Sequence, residues 1–289
     1  MKDYVVLFNA KANNESGEEK AKSLTAVLNS NNLEYVDITG IKNFEEFFGI
    51  YDKNQKFLIV GGDGTLNHFV NDCKEELIPN EIYYYPAGTG NDFWNDIGKK
   101  IGDMPENIKK YLVNLPTVTI DGVVSKFING VGYGIDGYCC EEADRIKATG
   151  TTKEINYTSI AIKGLLFKFK PANAVITVDG VRSEYKKVWL APMMNGRFYG
   201  GGMRPTPSQD RLNPEHTLSL LVWSGSGKLS TLMNFPNIFK GEHLKKTKMC
   251  KVLTGKEIIV EFDRPIAAQI DGETVLNVTK CYAKAYGEE

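Results

Sequence analysis

Hydrophobic and polar positions change their rhythm near residue 120. Before that point, short apolar runs alternate with stretches spaced for helices. Tyr4 to Phe8 is an apolar run of strand formers, and Glu18 through Leu28 follows with Ala21, Leu24, Val27 and Leu28 at helical spacing. Glu34 to Ile38 and Lys56 to Val60 read as a second and third strand, a helix is expected after Gly64, and Ile82 to Tyr85 reads as a fourth strand. Short apolar runs separated by helical patterns predict a parallel sheet with crossover helices. Beyond residue 120 the runs alternate in polarity and are divided by glycine or asparagine turns. Ala174 to Val178 precedes Asp179-Gly180, and Val188 to Ala191, Leu218 to Trp223 and Glu257 to Phe262 are further examples. Asp-Gly between such runs is a hairpin signal, so this half is expected to be mostly antiparallel β.

Composition narrows the class. With 289 residues the chain has room for two domains of roughly 100–200 residues each. Its 42% hydrophobic and 25% charged content excludes a disordered or coiled-coil protein. A formal net charge of −1 supplies no global field toward nucleic acid or an anionic membrane, so no nucleic-acid partner is expected. No run approaches the roughly 18 apolar residues of a membrane-spanning helix. The early run Val5 to Phe8 is too short for a signal-peptide core, which makes a cytoplasmic location the expectation. Cys73, Cys139, Cys140, Cys250 and Cys281 show no Cys-x-x-Cys pairing, against both a disulfide framework and a zinc site.

Two loops carry the candidate chemistry. Phe57 to Val60 runs into Gly61-Gly62-Asp63-Gly64-Thr65-Leu66-Asn67, where glycines alternate with an acid before an expected helix. Glycine lets a main chain approach a ligand closely, helix-start N–H groups favour phosphate, and a carboxylate among them suits magnesium. A tight turn with a helix-capping aspartate explains that loop equally well. The second loop, Tyr85-Pro86-Ala87-Gly88-Thr89-Gly90-Asn91-Asp92-Phe93, again follows a strand. In a parallel sheet both sit at the carboxyl ends of strands, where ligands bind. Asn9-Ala10-Lys11-Ala12-Asn13 leaves the first strand at the same edge.

Together these loops resemble the diacylglycerol-kinase catalytic family, which includes sphingosine and ceramide kinases and bacterial lipid kinases. Phe127-Ile128-Asn129-Gly130 with Gly134-Ile135-Asp136, Asn195-Gly196 with Gly200-Gly201-Gly202-Met203, and Gln269-Ile270-Asp271-Gly272-Glu273 extend the resemblance along the chain. The Gly-Thr-Gly-Asn-Asp element is its most specific part, because NAD kinases share only the Gly-Gly-Asp-Gly loop. The resemblance implies an α/β chain of two domains. The first is a Rossmann-like ATP-binding domain over 1–120 with the tail 280–289, the second a β-sandwich for lipid over 121–279, and the active site lies in the cleft. It implies ATP contacts at Asn9, Gly61, Gly62, Gly64, Thr65, Asn67, Gly88, Thr89, Gly90, Asn91 and Glu273. It gives Mg2+ and phosphate to Asp63 and Asp92, and the acceptor proton to Asp271. The acceptor is expected to be a lipid hydroxyl, first diacylglycerol, met during transient peripheral binding to a membrane. A homodimer is compatible with the residues but not argued by them. An NAD-kinase-like enzyme with a soluble acceptor and a non-catalytic nucleotide-binding regulator are the alternatives.

The chain also departs from the family pattern. His68 stands where a glutamate usually follows Asn67, and Trp94-Asn95 replace an Ala-Arg pair. The family's structural metal loop, Asp-x-x-Asp-Gly-x-Leu-Asp, is reduced here to Asp210 with Arg211-Leu212-Asn213-Pro214-Glu215-His216, too few carboxylates for magnesium. Gly132-Tyr133-Gly134-Ile135-Asp136-Gly137 fits a dinucleotide fingerprint but lacks the following acidic strand, so it reads as a strand-to-helix turn. Lys163 to Lys170 mixes apolar and cationic residues as interfacial helices do, and Lys240, Lys245, Lys246, Lys248 and Lys251 form a second basic cluster.

Overall fold

A computed structural model describes residues 1–10, 17–73, 78–150 and 157–285. The chain divides into two units, with the boundary after Asn114. The first unit contains β1 (Tyr4–Phe8), α1 (Gly17–Leu28), β2 (Leu33–Asp37), α2 (Phe44–Gly49), β3 (Phe57–Gly61), α3 (Asp63–Asp72), β4 (Ile82–Pro86), α4 (Asp92–Asp96), β5 (Glu106–Asn107) and α5 (Lys109–Leu112). Its sheet has the order β2-β1-β3-β4-β5. The first four strands are parallel, and β5 lies antiparallel on β4.

The apolar runs account for the burial of these strands. A parallel sheet is covered on both faces, so its strands are apolar throughout. Every residue of β3 is buried, as are Val5 to Phe8 of β1. The helices cover it with one face each: α1 turns Ala21 and Leu24 inward. Phe44 and Phe48 of α2 stack on each other and meet Phe57 and Phe69 edge-on. Because β2 lies on one side of β1 and β3 on the other, the winding reverses between β1 and β3. Such a switch point opens a crevice at the carboxyl ends of the strands.

The second unit begins at Leu115. It contains β6 (Thr117–Ile120), β7 (Val123–Lys126), β8 (Gly130–Tyr133), α6 (Ile135–Lys147), α7 (Tyr157–Lys163), β9 (Ala172–Val178), β10 (Val181–Val188), β11 (Met193–Met194), β12 (Leu218–Trp223), α8 (Lys228–Asn234), β13 (Cys250–Gly255), β14 (Glu257–Ile270) and β15 (Glu273–Lys284). Its strands run in the order β13-β12-β11-β8-β14-β15-β6-β7, with β9 and β10 joined through β14. All the pairings are antiparallel. The 14-residue strand β14 pairs with β9 over Ile258–Phe262 and with β8 over Ala268–Ile270. The register of β14 against β15 shifts between Glu261 and Ala268, and a bulge of this kind bends a strand toward a second layer. The result is a β-sandwich-like unit with an apolar interior that includes Phe127, Tyr133, Ile176, Leu220 and Val260.

The Asp179-Gly180 hairpin forms as its sequence requires, with φ of +47° and +82°, the left-handed pair of a two-residue turn. The dinucleotide-like glycines form a strand-to-helix turn in which Gly134 has φ +85°. Two boundaries shift. The units part after Asn114 rather than at 120. The tail segment 280–284 belongs to the second unit, because β15 pairs with β14 and β6 through Lys284. The local pattern of a terminal strand is silent about which sheet accepts it. All five cysteines are free thiols.

One carboxyl group lies deep in the second unit. Asp136, in the first turn of α6, receives the Tyr199 hydroxyl at 2.9 Å. Burial raises its pKa from 3.8 to about 8. The folded chain therefore holds a proton that the unfolded chain releases. The stability this contributes is complete below pH 3.8 and is lost as pH rises to about 8. Asp136→Asn keeps the shape without the titration. Thermal unfolding of both proteins between pH 4 and 9 is expected to show the variant gaining on the wild type as pH rises. A constant gap would contradict a buried neutral acid.

Candidate active site

At the switch point, β3 ends at Gly61, Gly62 caps α3, and α3 starts at Asp63. The next strand, β4, ends at Pro86, and α4 starts at Asp92. The two loops between them are bonded to each other. The Gly61 carbonyl accepts Ala87 N–H at 2.8 Å and the Tyr84 hydroxyl at 2.9 Å. Their backbones approach so closely that a Cβ on Gly88 would lie 2.6 Å from Gly62 Cα. A Cβ on Gly61 would strike the Thr65 side chain at 2.5 Å. Asn91 takes the left-handed conformation at φ +50° and donates to the Gly88 carbonyl at 2.8 Å.

Asp63 joins the two loops. Its carboxylate accepts Asp92 N–H and Phe93 N–H, both at 2.9 Å. It thus caps α4, a helix whose N-terminal donors have no intrahelical partners. The helix-capping reading and the ion-binding reading are compatible, since one carboxylate offers about four acceptor sites. Asp92 is buried, and Thr89 is exposed at the loop tip. Lys20 of α1 donates to the Ala87 carbonyl at 3.0 Å, which sets a cation beside the second loop. Its place in an ordinary amphipathic helix hid it in the sequence.

A cavity of about 270 Å³ opens within this unit, lined by Asn9, Thr39, Phe44, Thr65, His68 and Asp72 among others. Asn9, the residue after β1, and Thr65 from α3 both line it. His68, the departure from the family pattern, is exposed on its wall. Of the loop after β1, Lys11 to Asn13 lie outside the described residues. Asn67 is buried in α3.

The second unit has a constellation of its own. Asp271, at φ +47°, is the first residue of the turn between β14 and β15. Its Oδ1 accepts the N–H groups of Asn129 at 2.8 Å and Gly130 at 2.9 Å, and its Oδ2 accepts Ile128 N–H. Asn195 donates its amide to the Ile128 carbonyl at 2.9 Å, and its own N–H reaches the Asn129 carbonyl at 2.9 Å. Three motifs far apart in sequence therefore meet at one stretch, residues 128–130. Three backbone donors favour the ionised carboxylate. Asp271 is consequently an anchor for this stretch, whatever else it does. Glu273 is exposed at the start of β15.

The loop around Asp210 does not fit a metal. Among the described residues no group of three or more His, Cys, Asp or Glu side chains converges. Asp210 Oδ1 accepts Leu212 N–H at 3.0 Å, and Asn213 closes the loop with its amide.

Residues 3–124 match the diacylglycerol kinase catalytic domain, and residues 129–282 match the YegS C-terminal NAD kinase beta sandwich-like domain. YtlR of Bacillus subtilis, named as a candidate lipid kinase, is 26% identical over 235 residues, 76% of this chain and 74% of YtlR. A diacylglycerol kinase of Mycobacterium tuberculosis is 26% identical over 195 residues, 65% of this chain and 61% of that protein. The crystal structure of a candidate diacylglycerol kinase from Bacillus anthracis has the same fold, with a TM-score of 0.67 at 19% identity over 98% of this chain and 92% of that one. The glycine loops fall in the first matched domain and the Asp271 turn in the second, and the chain belongs to the family defined by the YegS C-terminal NAD kinase beta sandwich-like domain, here preceded by a diacylglycerol kinase catalytic domain.

Proposed function

We propose that this chain is an ATP-dependent lipid kinase that transfers the γ-phosphate to a lipid hydroxyl, with diacylglycerol as the first acceptor to test. The observation that carries the reading is the pair of glycine loops at the switch point, held backbone to backbone and joined by Asp63. Gly62, Gly64, Gly88 and Gly90, with Gly61 at the end of β3, let the main chain come close to phosphate. Asn9 and Thr65 line the adjoining cavity for the nucleoside end. Thr89 and Asn91 flank the phosphates, and Glu273 is assigned to the nucleotide on family resemblance alone. Asp63 and Asp92 supply the carboxylates for Mg2+, which neutralises phosphate charge during transfer. Asp271 is assigned to the acceptor hydroxyl. Phosphoryl transfer places a late and modest demand on the base, so a carboxylate held in place by three backbone donors suits orientation of the hydroxyl.

A lipid acceptor is supported by the relatives' names and by one surface. Phe167 is 78% exposed, and Leu229 and Met233, one turn apart on α8, are 67% and 65% exposed. Lys228 donates to the Leu166 carbonyl at 2.7 Å, which brings α8 against the π-helical turn Gly164–Lys168. Lys163 and Lys168 flank the apolar side chains, while Phe169 of the same stretch is buried. Apolar side chains ringed by lysines suit the interface of an anionic bilayer. Among the described residues no helix is long and apolar enough to cross a membrane.

Transfer of labelled γ-phosphate to a panel of lipids in mixed micelles tests the reading. Label is expected on a glycerolipid, and Asp271→Asn is expected to lower the rate about 100-fold or more with ATP affinity little changed. The same variant should unfold at lower temperature, because the amide NH2 that replaces Oδ2 would face the Ile128 N–H donor. Label on a soluble acceptor only, or ATP binding without transfer, would replace the lipid reading with one of its rivals.

Gly88→Ala tests the loops directly. Forcing the backbones apart is expected to weaken ATP binding about tenfold, or 1.4 kcal/mol, measured by calorimetry. Unchanged affinity would place the nucleotide elsewhere. For the membrane surface, the double variant Leu229→Asp, Met233→Asp is expected to lower binding to phosphatidylglycerol vesicles about tenfold. It should keep its rate on a short-chain, water-soluble diacylglycerol, and equal loss of both would count against a docking role.

A further inference from the structure

The family pattern places a structural metal between β11 and β12, and most of the carboxylate donors for it are missing here. We infer that Arg211 takes over the organising role of a cation in this loop and positions Asp271 through a single peptide group. The assignment of Arg211 as a positioning residue rests on the kinase reading; the metal independence of the loop does not.

The loop closes on itself without an ion. Asn213 donates its amide to the carbonyls of Asp210 at 2.7 Å and Thr217 at 3.1 Å. Its Oδ1 accepts Thr217 N–H at 2.9 Å and the Thr217 hydroxyl at 3.2 Å. Those carbonyls are the kind of oxygen a hard cation would seek, and here a neutral amide uses them. Gln209 adds a second clasp: it donates to the Thr217 carbonyl at 2.9 Å and accepts the Ser219 hydroxyl at 2.6 Å.

The positive charge of the loop is Arg211, whose guanidinium points out of the loop. It donates to the Ile128 carbonyl at 3.2 Å and to Asn129 Oδ1 at 3.1 Å. The Ile128 carbonyl and the Asn129 N–H belong to one planar peptide unit. That N–H donates to Asp271 Oδ1 at 2.8 Å. A guanidinium on the oxygen side polarises the peptide and strengthens its N–H as a donor on the other side. Arg211 and Asp271 are thus opposite charges coupled through one peptide, with the Asn195 amide sharing the same carbonyl at 2.9 Å. Arginine suits the task because its planar fork reaches two acceptors at once and stays charged.

Three proteins decide it: wild type, Arg211→Met and Arg211→Lys. Thermal unfolding without nucleotide, in EDTA and in millimolar Mg2+ or Ca2+, is expected to give one midpoint for the wild type. A saturable rise of several degrees with either ion would overturn metal independence. Arg211→Met is expected to speed hydrogen exchange at the amides of Ile128, Asn129 and Gly130 at least tenfold, whether or not any acceptor is known. Unchanged exchange would overturn the coupling. On the lipid acceptor, Arg211→Met is expected to lower kcat about tenfold with the KM for ATP unchanged, and Arg211→Lys to recover part of that loss. Equal change in both constants, or no recovery by lysine, would reduce Arg211 to a structural residue. A wild type that transfers to no lipid would sink the kinase reading while leaving the metal and exchange results standing.

Discussion

Between Gly62 and Gly88 there is no room for a side-chain carbon, and the first unit is organised around that contact. A Cβ at Gly88 would sit 2.6 Å from the other main chain and one at Gly62 3.2 Å from Gly88 Cα, so the two strand-to-helix loops share one place because glycine stands at the point of contact. Once they share it, Asp63 at the start of α3 can reach the N–H groups that open α4. The carboxylate of one loop then fixes the helix of the other. This arrangement fixes both loops near the crevice that the strand order opens at the ends of β1 and β3. The phosphate site proposed for these loops depends on that rigidity, because backbone donors cannot move to meet a ligand.

The second unit solves a related problem with similar chemistry. Residues 128–130 carry three N–H groups that a distant carboxylate, Asp271, gathers. Asn195 and Arg211 hold the carbonyl side of the same stretch. Charge-assisted bonds of this type are the stronger class of hydrogen bond, and here they join segments of chain more than 60 residues apart.

Arg211 and Asn213 organise their loop without converging carboxylates. Carboxylates around an ion require several acids converging on one point. An amide that both donates and accepts satisfies the loop's own carbonyls and N–H groups, and a neighbouring guanidinium supplies the charge. The exchange removes dependence on a dissolved ion and ties the loop to the strand that carries the Asp271 anchor.

Much of this was legible in the residues. The apolar runs at Tyr4, Phe57 and Ile82 specify buried parallel strands, because only a doubly covered sheet tolerates them. Asp179-Gly180 specifies its hairpin through the left-handed φ values it permits. The glycine loops were visible because glycine marks a backbone that must pass close to something. What that something is, the other loop, depends on strand order, and no local pattern encodes strand order. The same limit hid Lys20 and Arg211, ordinary cations whose partners lie 67 and 83 residues away. It also misplaced the final strand, whose sheet is chosen by pairing partners rather than by its own residues. Local sequence determined the elements and the chemistry available at their ends. Only the tertiary structure decided which ends meet, because that choice is made by long-range packing and by the few backbone groups left for distant side chains to satisfy.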